Sequence, residues 1–303
     1  MTKGALIVNA DDLGVSKGAT LGIVKAHREG IVTSASLTAT TPFYQHALEV
    51  CVQACPELGI GLHFTLTAGR PASPPREVPL LIDDRGFFRW RFLPLFRAAS
   101  LQKRADLLEQ VEIELEAQLK KIVSDGVRPD HIDGERHIHL IPGIFERVAA
   151  AARRYGIPFL RLGRDIGPRH ARLSHSTGFL LGGGILKYSL LSRLARRNRK
   201  LLKGGIASAE WFASYLYSGR LDLLWKSVLE RPPATGVTEI MVHPGIPEES
   251  RDLALGNHEL ERYLALEDRR KELAACIEAR GWLHGWRLSS FRQLAQDPAW
   301  APS

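Results

Sequence analysis

Acidic and histidine side chains occur in this 303-residue chain at four places where a short apolar run ends or turns polar. The first place is LIVNADDLG, in which two adjacent carboxylates follow a run that is typical of a buried strand. Two adjacent carboxylates repel each other, and a desolvated carboxylate is costly unless a metal ion, a basic partner or a shared proton compensates it. The four places contain Asp11 and Asp12; His63; Asp133, Glu135, His137 and His139; and His243.

Carboxylate and imidazole groups together suit divalent ions such as magnesium, zinc, manganese, cobalt or nickel. Such an ion would also account for the acid pair, because one carboxylate could bind it while the other takes a proton from an activated water. A single histidine in a strand, such as His63 or His243, more often has a structural role. The hypothesis of a metal site therefore requires that the four places meet in the fold.

Short apolar runs alternate with longer amphipathic ones along the chain, which favours an α/β fold with a parallel sheet, open or closed into a barrel. In such folds the carboxyl ends of the strands form one edge, and functional side chains gather there. The predicted strands are 5–10, 34–40, 58–67, a short strand within 129–140, 158–163, 237–245 and 282–288, and the predicted helices are 16–30, 42–55, 101–126 and 142–156.

The composition is that of an ordinary globular protein, with 45% hydrophobic and 24% charged residues. No apolar run approaches the roughly 20 residues of a membrane-spanning helix, and the amino-terminal run is too short for a signal peptide. Three cysteines give no disulfide framework, and the spacing of Cys51 and Cys55 favours one buried helix face over a zinc site. These features predict a cytoplasmic protein.

The net charge of +8 arises from one segment, 166–209, which contains nine Lys and Arg residues and no Asp or Glu. Within it, 179–203 alternates apolar and basic residues at roughly helical spacing. We predict a basic helical insertion at about 166–209 in a single domain, 1–303. Its helix either contacts an anionic membrane surface peripherally or packs on the domain with a solvated basic face. A nucleic-acid site is not favoured, because no recognised binding fold accompanies the charge.

Two other enzyme classes fit the first strand poorly. No glycine-rich fingerprint follows it, which argues against a dinucleotide-binding dehydrogenase. Asp11 and Asp12 are adjacent rather than alternate, which argues against an aspartate-nucleophile phosphatase, and that class would also leave the histidines unused.

Five motifs occur in an order that resembles the YdjC-like carbohydrate deacetylases, a family that includes diacetylchitobiose and hopanoid-biosynthesis-associated deacetylases. The motifs are NADDLG, GIVTSASL, GIGLHFTLT, HIDGERHIH and VHPG. The resemblance implies a (β/α)-barrel-like parallel sheet and metal-dependent removal of an acetyl group from an N-acetylated amino sugar. It also makes Asp11 the general base and makes Asp12 and His63 metal ligands.

One residue departs from the family pattern. The family has its second histidine ligand directly after the Asp-Gly or Asp-Ser pair, where this chain has Glu135. Glu135 itself, or His137, is the third ligand, or the site binds metal weakly or not at all. Two carboxylates and one imidazole would favour oxygen-preferring ions over zinc.

The remaining roles follow from chemistry and position. His243 is the candidate acid for the leaving amine, because a histidine pKa lies near neutral pH; its alternative role is to cap a strand end. His137 and His139 are expected to line the pocket or orient the ligands. Arg161 either meets the sugar or a phosphate or is an ordinary surface residue.

A glycolipid substrate would suit membrane contact through 179–203. The alternative to an enzyme is an altered or inactive barrel that binds a membrane surface or a carbohydrate.

Overall fold

Parallel strands form one sheet through the centre of the protein. The computed structural model describes residues 4–166, 184–202, 205–215, 229, 236–251, 253–283, 285–297 and 300. Within these residues the sheet has the order β5-β4-β3-β2-β1-β8-β7-β6, and β9 pairs with β1. The strands are Ala5–Leu13 (β1), Ser34–Leu37 (β2), Gly59–Phe64 (β3), His131–Gly134 (β4), Phe159–Leu160 (β5), Arg164–Asp165 (β6), Trp211–Ala213 (β7), Val237–Val242 (β8) and Arg287–Leu288 (β9).

The sheet curls until its two ends meet. β5 and β6 stand at opposite ends of the strand order, yet only residues 161–163 separate them in the chain. A parallel bridge between Phe159 and Ala207 also joins β5 to the segment that leads into β7. The predicted (β/α)-barrel-like parallel sheet is therefore confirmed.

Alternation along the strands divides the side chains between two environments. Val8 and Ala10 of β1, like Ile60 and Leu62 of β3, belong to the large apolar core. The intervening positions face the inside of the curled sheet. Near the amino end of the strands these inner positions form a small apolar cluster that includes Ile7. Near the carboxyl end they carry buried polar groups, so the fold brings the polar strand ends together.

Helices on the outer side cover the apolar face of the sheet. The described helices are Lys17–Arg28 (α1), Tyr44–Ala47 (α2), Phe92–Phe96 (α3), Ala105–Ser124 (α4), Ile144–Arg154 (α5), Gly184–Arg199 (α6), His258–Leu264 (α7), Asp268–Glu278 (α8) and Phe291–Gln296 (α9). The predicted helix 42–55 begins as α2 and continues as a π-helical turn, Leu48–Val52, and both Cys51 and Cys55 are buried. The predicted strand 282–288 is only partly right, because 3-10 helix occupies Ala279–Trp282 and pairing is confined to β9.

The basic segment contributes α6, which lies between β6 and β7 in the chain. Leu191, Leu194 and Ala195 are buried in the large core, whereas Arg193 and Arg196 are exposed. The apolar face of this helix therefore packs on the protein and its basic face is exposed, which is the second of the two predicted arrangements. Residues 167–183 and 203–204 lie outside the described residues, so the predicted bounds of the insertion and the domain stay predictions. No described helix is long and apolar enough to cross a membrane.

Close packing of α1 against the loop after β8 yields a first prediction. A Cβ atom at Gly22 would lie 2.5 Å from Gly245 Cα and 2.7 Å from the Pro244 carbonyl oxygen. Alanine normally stabilises a helix relative to glycine by about 1 kcal/mol. We expect Gly22→Ala instead to destabilise the protein by about 1–3 kcal/mol, because backbone must move. Urea unfolding would measure this, with Lys25→Ala on the exposed face of α1 as control. A stabilised Gly22→Ala variant would contradict the packing.

Candidate metal centre and catalytic pocket

The two adjacent carboxylates at the end of β1 both face one cavity. In an extended strand Asp11 and Asp12 would point to opposite faces. Asp12 instead has a left-handed backbone, with φ of 71°, where the register of β1 against β2 shifts. Aspartate tolerates this conformation better than most residues. The irregularity therefore lets both side chains line the same pocket.

His63 is held between two carboxylates from different strands. Its register partner on β4 is Asp133, and His63 Nδ1 donates to Asp133 Oδ1 at 2.7 Å. His63 Nε2 lies 3.7 Å from Asp12 Oδ1. Burial lowers the pKa of His63, but the charges of Asp133, Asp11 and Asp12 and the hydrogen bond to Asp133 outweigh it and raise this pKa to about 9. The imidazole of the metal-free protein is thus protonated at neutral pH.

Arg161, which follows β5, is the centre of the buried charge network. Its Nη1 and Nη2 each donate at 2.7 Å to an oxygen of Asp11. Its Nη2 also lies 2.6 Å from Asp133 Oδ2, and its Nε donates at 2.6 Å to Glu239 Oε1. Three carboxylates from β1, β4 and β8 therefore share one guanidinium, which is 1% exposed.

Further donors complete the network. Asn9 donates to Asp11 Oδ1 at 2.9 Å, and Ser36 donates to Asp133 Oδ2 at 2.7 Å. Burial would raise the pKa of Asp133, but Arg161 and His63 hold it well below its usual range. Burial raises the pKa of Glu239.

The segment after β4 bends sharply and brings several polar side chains to the pocket. Arg136 and His137 both have left-handed backbone conformations, with φ of 50° and 62°. The Glu135 carboxylate is buried; it accepts from the Thr67 hydroxyl and from Arg136 Nε, the latter at 3.0 Å. Burial raises the pKa of Glu135, although Arg136 and Thr67 oppose this effect.

The two later histidines of this segment are neutral at physiological pH. Burial lowers the pKa of His139 to about 4 and that of His137 well below its usual range. His137 lines the pocket and packs edge-on against Tyr215, with ring centroids 4.9 Å apart. His139 lies deeper, where its Nε2 is 3.0 Å from the Arg161 carbonyl oxygen.

His243 lines the same pocket and directly follows β8. Its ring packs edge-on against Tyr263, with centroids 5.6 Å apart. Its backbone N–H donates to Glu272 Oε2 at 2.6 Å, and its Nδ1 lies 3.7 Å from the same oxygen. Arg269 donates at 3.1 Å to the His243 carbonyl oxygen. Glu272 and Arg269 of α8 therefore hold the backbone of His243, and Tyr263 of α7 packs against its ring.

The cavity enclosed by these walls has a volume of about 350 Å³. This lies within the range of small-molecule sites, roughly 300–1,000 Å³. Six of the eight predicted site residues line it: Asp11, Asp12, His63, Glu135, His137 and His243. His139 and Arg161 lie beneath it, and Arg161 is therefore not a surface residue.

The charge distribution of the pocket fits a bound cation. Among the described residues, one trio of acidic and histidine ligand atoms lies within 4.8 Å of one another, formed by Asp11, His63 and Asp133. Asp11 and Asp133 already have Arg161 as partner. Asp12 is buried, and among the residues that the structure describes its one ionic contact is the distant His63 Nε2. The negative charge of Asp12 is therefore little compensated by the protein, and the His63 ring beside it has its other nitrogen bonded to a carboxylate. Such a carboxylate and imidazole together form a usual set of ligands for a divalent ion.

Sequence reasoning did not assign roles to several residues of this network. Glu239 lies within the apolar strand TEIMV, and a charge in such a run was the available signal. Asn9 and Ser36 carried no comparable signal, because a buried amide or hydroxyl in a strand is unremarkable in sequence. Tyr263 lies on α7, and Arg269 and Glu272 lie on α8; no motif marked them.

The chain is similar to one family model and to several named deacetylases. The family model described as YdjC-like protein matches residues 5–280. A carbohydrate deacetylase of Brevibacillus brevis is 43% identical over 153 residues, which are 50% of this chain and 57% of that protein. A chitooligosaccharide deacetylase of Proteus mirabilis is 32% identical over 243 residues, which are 79% and 80% of the two chains. The matched part spans 57–58% of the length of three carbohydrate deacetylases.

A solved structure has the same fold. It is a crystal structure from Enterococcus faecalis V583 of a protein assigned provisionally to cellobiose-phosphate cleavage. Its TM-score is 0.67 at 25% sequence identity, and the match covers 97% of this chain and 99% of that one.

The raised pKa of His63 gives a second prediction, for metal-free protein. Because the folded-state pKa of about 9 exceeds the ordinary 6.5, the stabilisation from His63 is fully present below pH 6.5 and is lost as pH rises through 9. We expect the difference in unfolding free energy between the wild type and His63→Gln to shrink by at most about 3 kcal/mol over this interval. Urea unfolding with chelator at several pH values would measure it. A difference that is independent of pH would show that His63 is not protonated in the fold.

Proposed function

The chain belongs to the YdjC-like family, and from that premise we propose that it is a metal-dependent hydrolase that removes the acetyl group from an N-acetylated amino sugar. One observation carries the proposal: Asp12 and His63 face each other across 3.7 Å in the pocket that Asp11 and His243 also line. The names of the related carbohydrate and chitooligosaccharide deacetylases support the substrate class.

We assign the metal ion to Asp12, His63 and Glu135. When bound, the ion supplies a Lewis acid that polarises the acetamido carbonyl and acidifies a water molecule. Glu135 is preferred to His137 as third residue because its charge interacts with those of Asp12 and His63. On His137, by contrast, the positive charges of Lys187 and Arg161 act, with the negative charge of Asp133 opposing them. The resulting set of two carboxylates and one imidazole suits magnesium or manganese better than zinc.

Asp11 is the general base. Its carboxylate takes a proton from the water that attacks the acetyl carbonyl carbon. Arg161 and Asn9 hold both its oxygens, so the carboxylate is fixed in orientation before substrate arrives. Such fixed geometry lowers the reorganisation needed for proton transfer.

His243 is the proton donor for the leaving amine. The carbon–nitrogen bond breaks as the tetrahedral intermediate collapses, and the nitrogen takes the proton from His243. The products are acetate and the free amino sugar. The imidazole packs against Tyr263, its Nδ1 lies 3.7 Å from Glu272 Oε2, and it lines the same pocket as His137, in which the amide would lie.

Acetate release tests the proposal directly. Metal-stripped protein would be assayed on N-acetylglucosamine, its chitobiose disaccharide and a lipid-linked form, with magnesium, manganese, zinc, cobalt and nickel added back separately. We expect release that requires a metal, and at least a thousandfold loss in Asp11→Asn, an effect of the size seen for essential acid–base groups. Asp11→Asn should still bind metal, measured by equilibrium dialysis.

Two outcomes would contradict the assignment. An active Asp11→Asn variant would remove Asp11 from the role of base. Folded wild-type protein that releases no acetate with any of the five metals would favour the alternative, an altered or inactive barrel that binds carbohydrate or a membrane surface.

A lipid-linked amino sugar is the narrower form of the substrate hypothesis. The apolar face of α6 is buried, so membrane contact would depend on its exposed residues Arg193 and Arg196 and on Lys200, which directly follows the helix. Exposed cations attract anionic lipid by about 1 kcal/mol each near the surface.

Liposome sedimentation tests this narrower form. Vesicles of phosphatidylcholine and phosphatidylserine would be compared with phosphatidylcholine alone. We expect Arg193→Ala/Arg196→Ala/Lys200→Ala to abolish binding to the anionic vesicles, whereas the control with Lys120, Arg128 and Arg280 changed to alanine retains it. Equal partitioning of both triple variants would reject membrane contact through α6.

A further inference from the structure

A ladder of alternating charges runs from the pocket to the protein surface. Glu135 Oε1 contacts Arg136 Nε at 3.0 Å, Arg136 Nη2 contacts Glu259 Oε2 at 3.0 Å, and Glu259 Oε1 contacts Arg91 Nη1 at 2.8 Å. The exposed fractions of the side chains rise along it, from 7% for Glu135 to 34%, 49% and 68%. The ladder connects the segment after β4 to α7 and to the residue before α3.

Arg136 occupies the boundary between the buried and the exposed part of this ladder. Its left-handed backbone, followed by a second left-handed residue, His137, costs roughly 1 kcal/mol or more at each position. Such conformations persist where the surroundings enforce them. Here the turn directs both the Arg136 and the Glu135 side chains into the same pocket, so that adjacent residues form an ion pair.

Glu135 needs a cationic partner because it is buried. The Thr67 hydroxyl supplies one hydrogen bond and the Arg136 guanidinium supplies the charge. A divalent ion held by Asp12, His63 and Glu135 would supply that charge instead. One carboxylate rarely serves a metal ion and a guanidinium equally well, since the two cations repel each other.

Arg136 has a second carboxylate partner that remains when a metal ion binds Glu135. Glu259 already accepts from its Nη2, and Arg91 holds the other Glu259 oxygen. The guanidinium can therefore leave Glu135 without becoming unpaired, because its contact with the rim remains.

We propose that Arg136 is an exchangeable counter-ion of Glu135: a divalent metal ion displaces its guanidinium from Glu135, and Glu259 retains it at the pocket rim. This inference rests on the proposed metal-dependent function, and it identifies Arg136 and Glu259 as positioning residues that set metal affinity. It also predicts effects of opposite sign for the two residues.

Metal affinity measured by isothermal titration calorimetry with manganese tests the proposal. Arg136→Gln removes the competitor, and we expect the dissociation constant to fall about three- to tenfold. Glu259→Gln leaves Glu135 as the remaining carboxylate partner of Arg136 in the ladder, and we expect the dissociation constant to rise severalfold. In the Arg136→Gln background, Glu259→Gln should change it less than twofold, because the effect of Glu259 acts through Arg136.

Three matched variants separate exchange from simple charge effects. Lys187→Gln removes another cation from the same pocket, and it should tighten binding less than Arg136→Gln. Arg91→Gln removes the outer contact of the ladder and should leave the affinity within twofold. Glu135→Gln should weaken binding and abolish the effect of Arg136→Gln.

Each result of these measurements either supports or overturns the exchange. Equal effects of Arg136→Gln and Lys187→Gln, or additive effects of Arg136→Gln and Glu259→Gln, would overturn the proposal, as would failure of the wild type to bind manganese. Acetate release by the same preparations separates the two hypotheses. Release without the predicted affinity changes overturns the exchange alone. The predicted changes without release support the exchange and reject the deacetylase.

Discussion

The structure depends on one buried ion cluster, in which the Arg161 guanidinium serves three carboxylates from three strands of the sheet. Asp11 and Glu239 come from the neighbouring strands β1 and β8, whereas Asp133 comes from β4, which a flat sheet of this order would hold apart from both. Curling of the sheet brings them to one point, and the guanidinium offsets much of their repulsion. Removing one member of such a cluster leaves an uncompensated buried charge, which typically costs several kcal/mol. The same cluster orients Asp11 toward the pocket, so that the electrostatic centre of the fold is also part of the site.

From this centre the geometry extends outward in two steps. Asp133, fixed by Arg161 and Ser36, fixes in turn the ring of His63 through Nδ1. His63 then presents Nε2 toward Asp12. The left-handed backbone of Asp12 breaks the alternation of side-chain directions along the strand. The site thus combines two kinds of carboxylate: those compensated by protein cations and, in Asp12, one with little compensation from the protein. The second kind can bind a metal ion without losing a protein cation, whereas Glu135 would exchange Arg136 for the ion.

Much of this arrangement is predictable from sequence, because it follows from periodicity and from the strand ends. Residues 5–10 and 59–62 alternate or run apolar as buried strands do, and the parallel sheet and the convergence of Asp11, His63 and His243 follow from that pattern, which left open whether the sheet closes into a barrel. The resemblance of five motifs to one family identified the fold that the structure confirms. Helices α1, α4 and α5 lie within the predicted spans, and each of their ends falls one to four residues inside the predicted bound.

The remainder could not be derived from pattern, because it depends on contacts between residues far apart in the chain. Arg161 follows a strand of two residues, and nothing local indicates that its partners lie 150 and 78 positions away. The same holds for Glu272, which reaches His243 from α8, and for the link between Arg136 and Glu259. The apolar face of α6 was equally ambiguous, since a helix that packs on a domain and one that lies on a membrane share the same periodicity.

Anomalous diffraction from crystals grown with manganese would test the central claim most directly, because it locates the ion without reference to activity. The account predicts one strong peak at the manganese edge between Asp12 Oδ1 and His63 Nε2, with the Glu135 carboxylate turned to it and Arg161 still bound to Asp11. A peak between Asp11 and Asp133 in place of Arg161, or no peak in the pocket, would contradict the assignment of the metal centre.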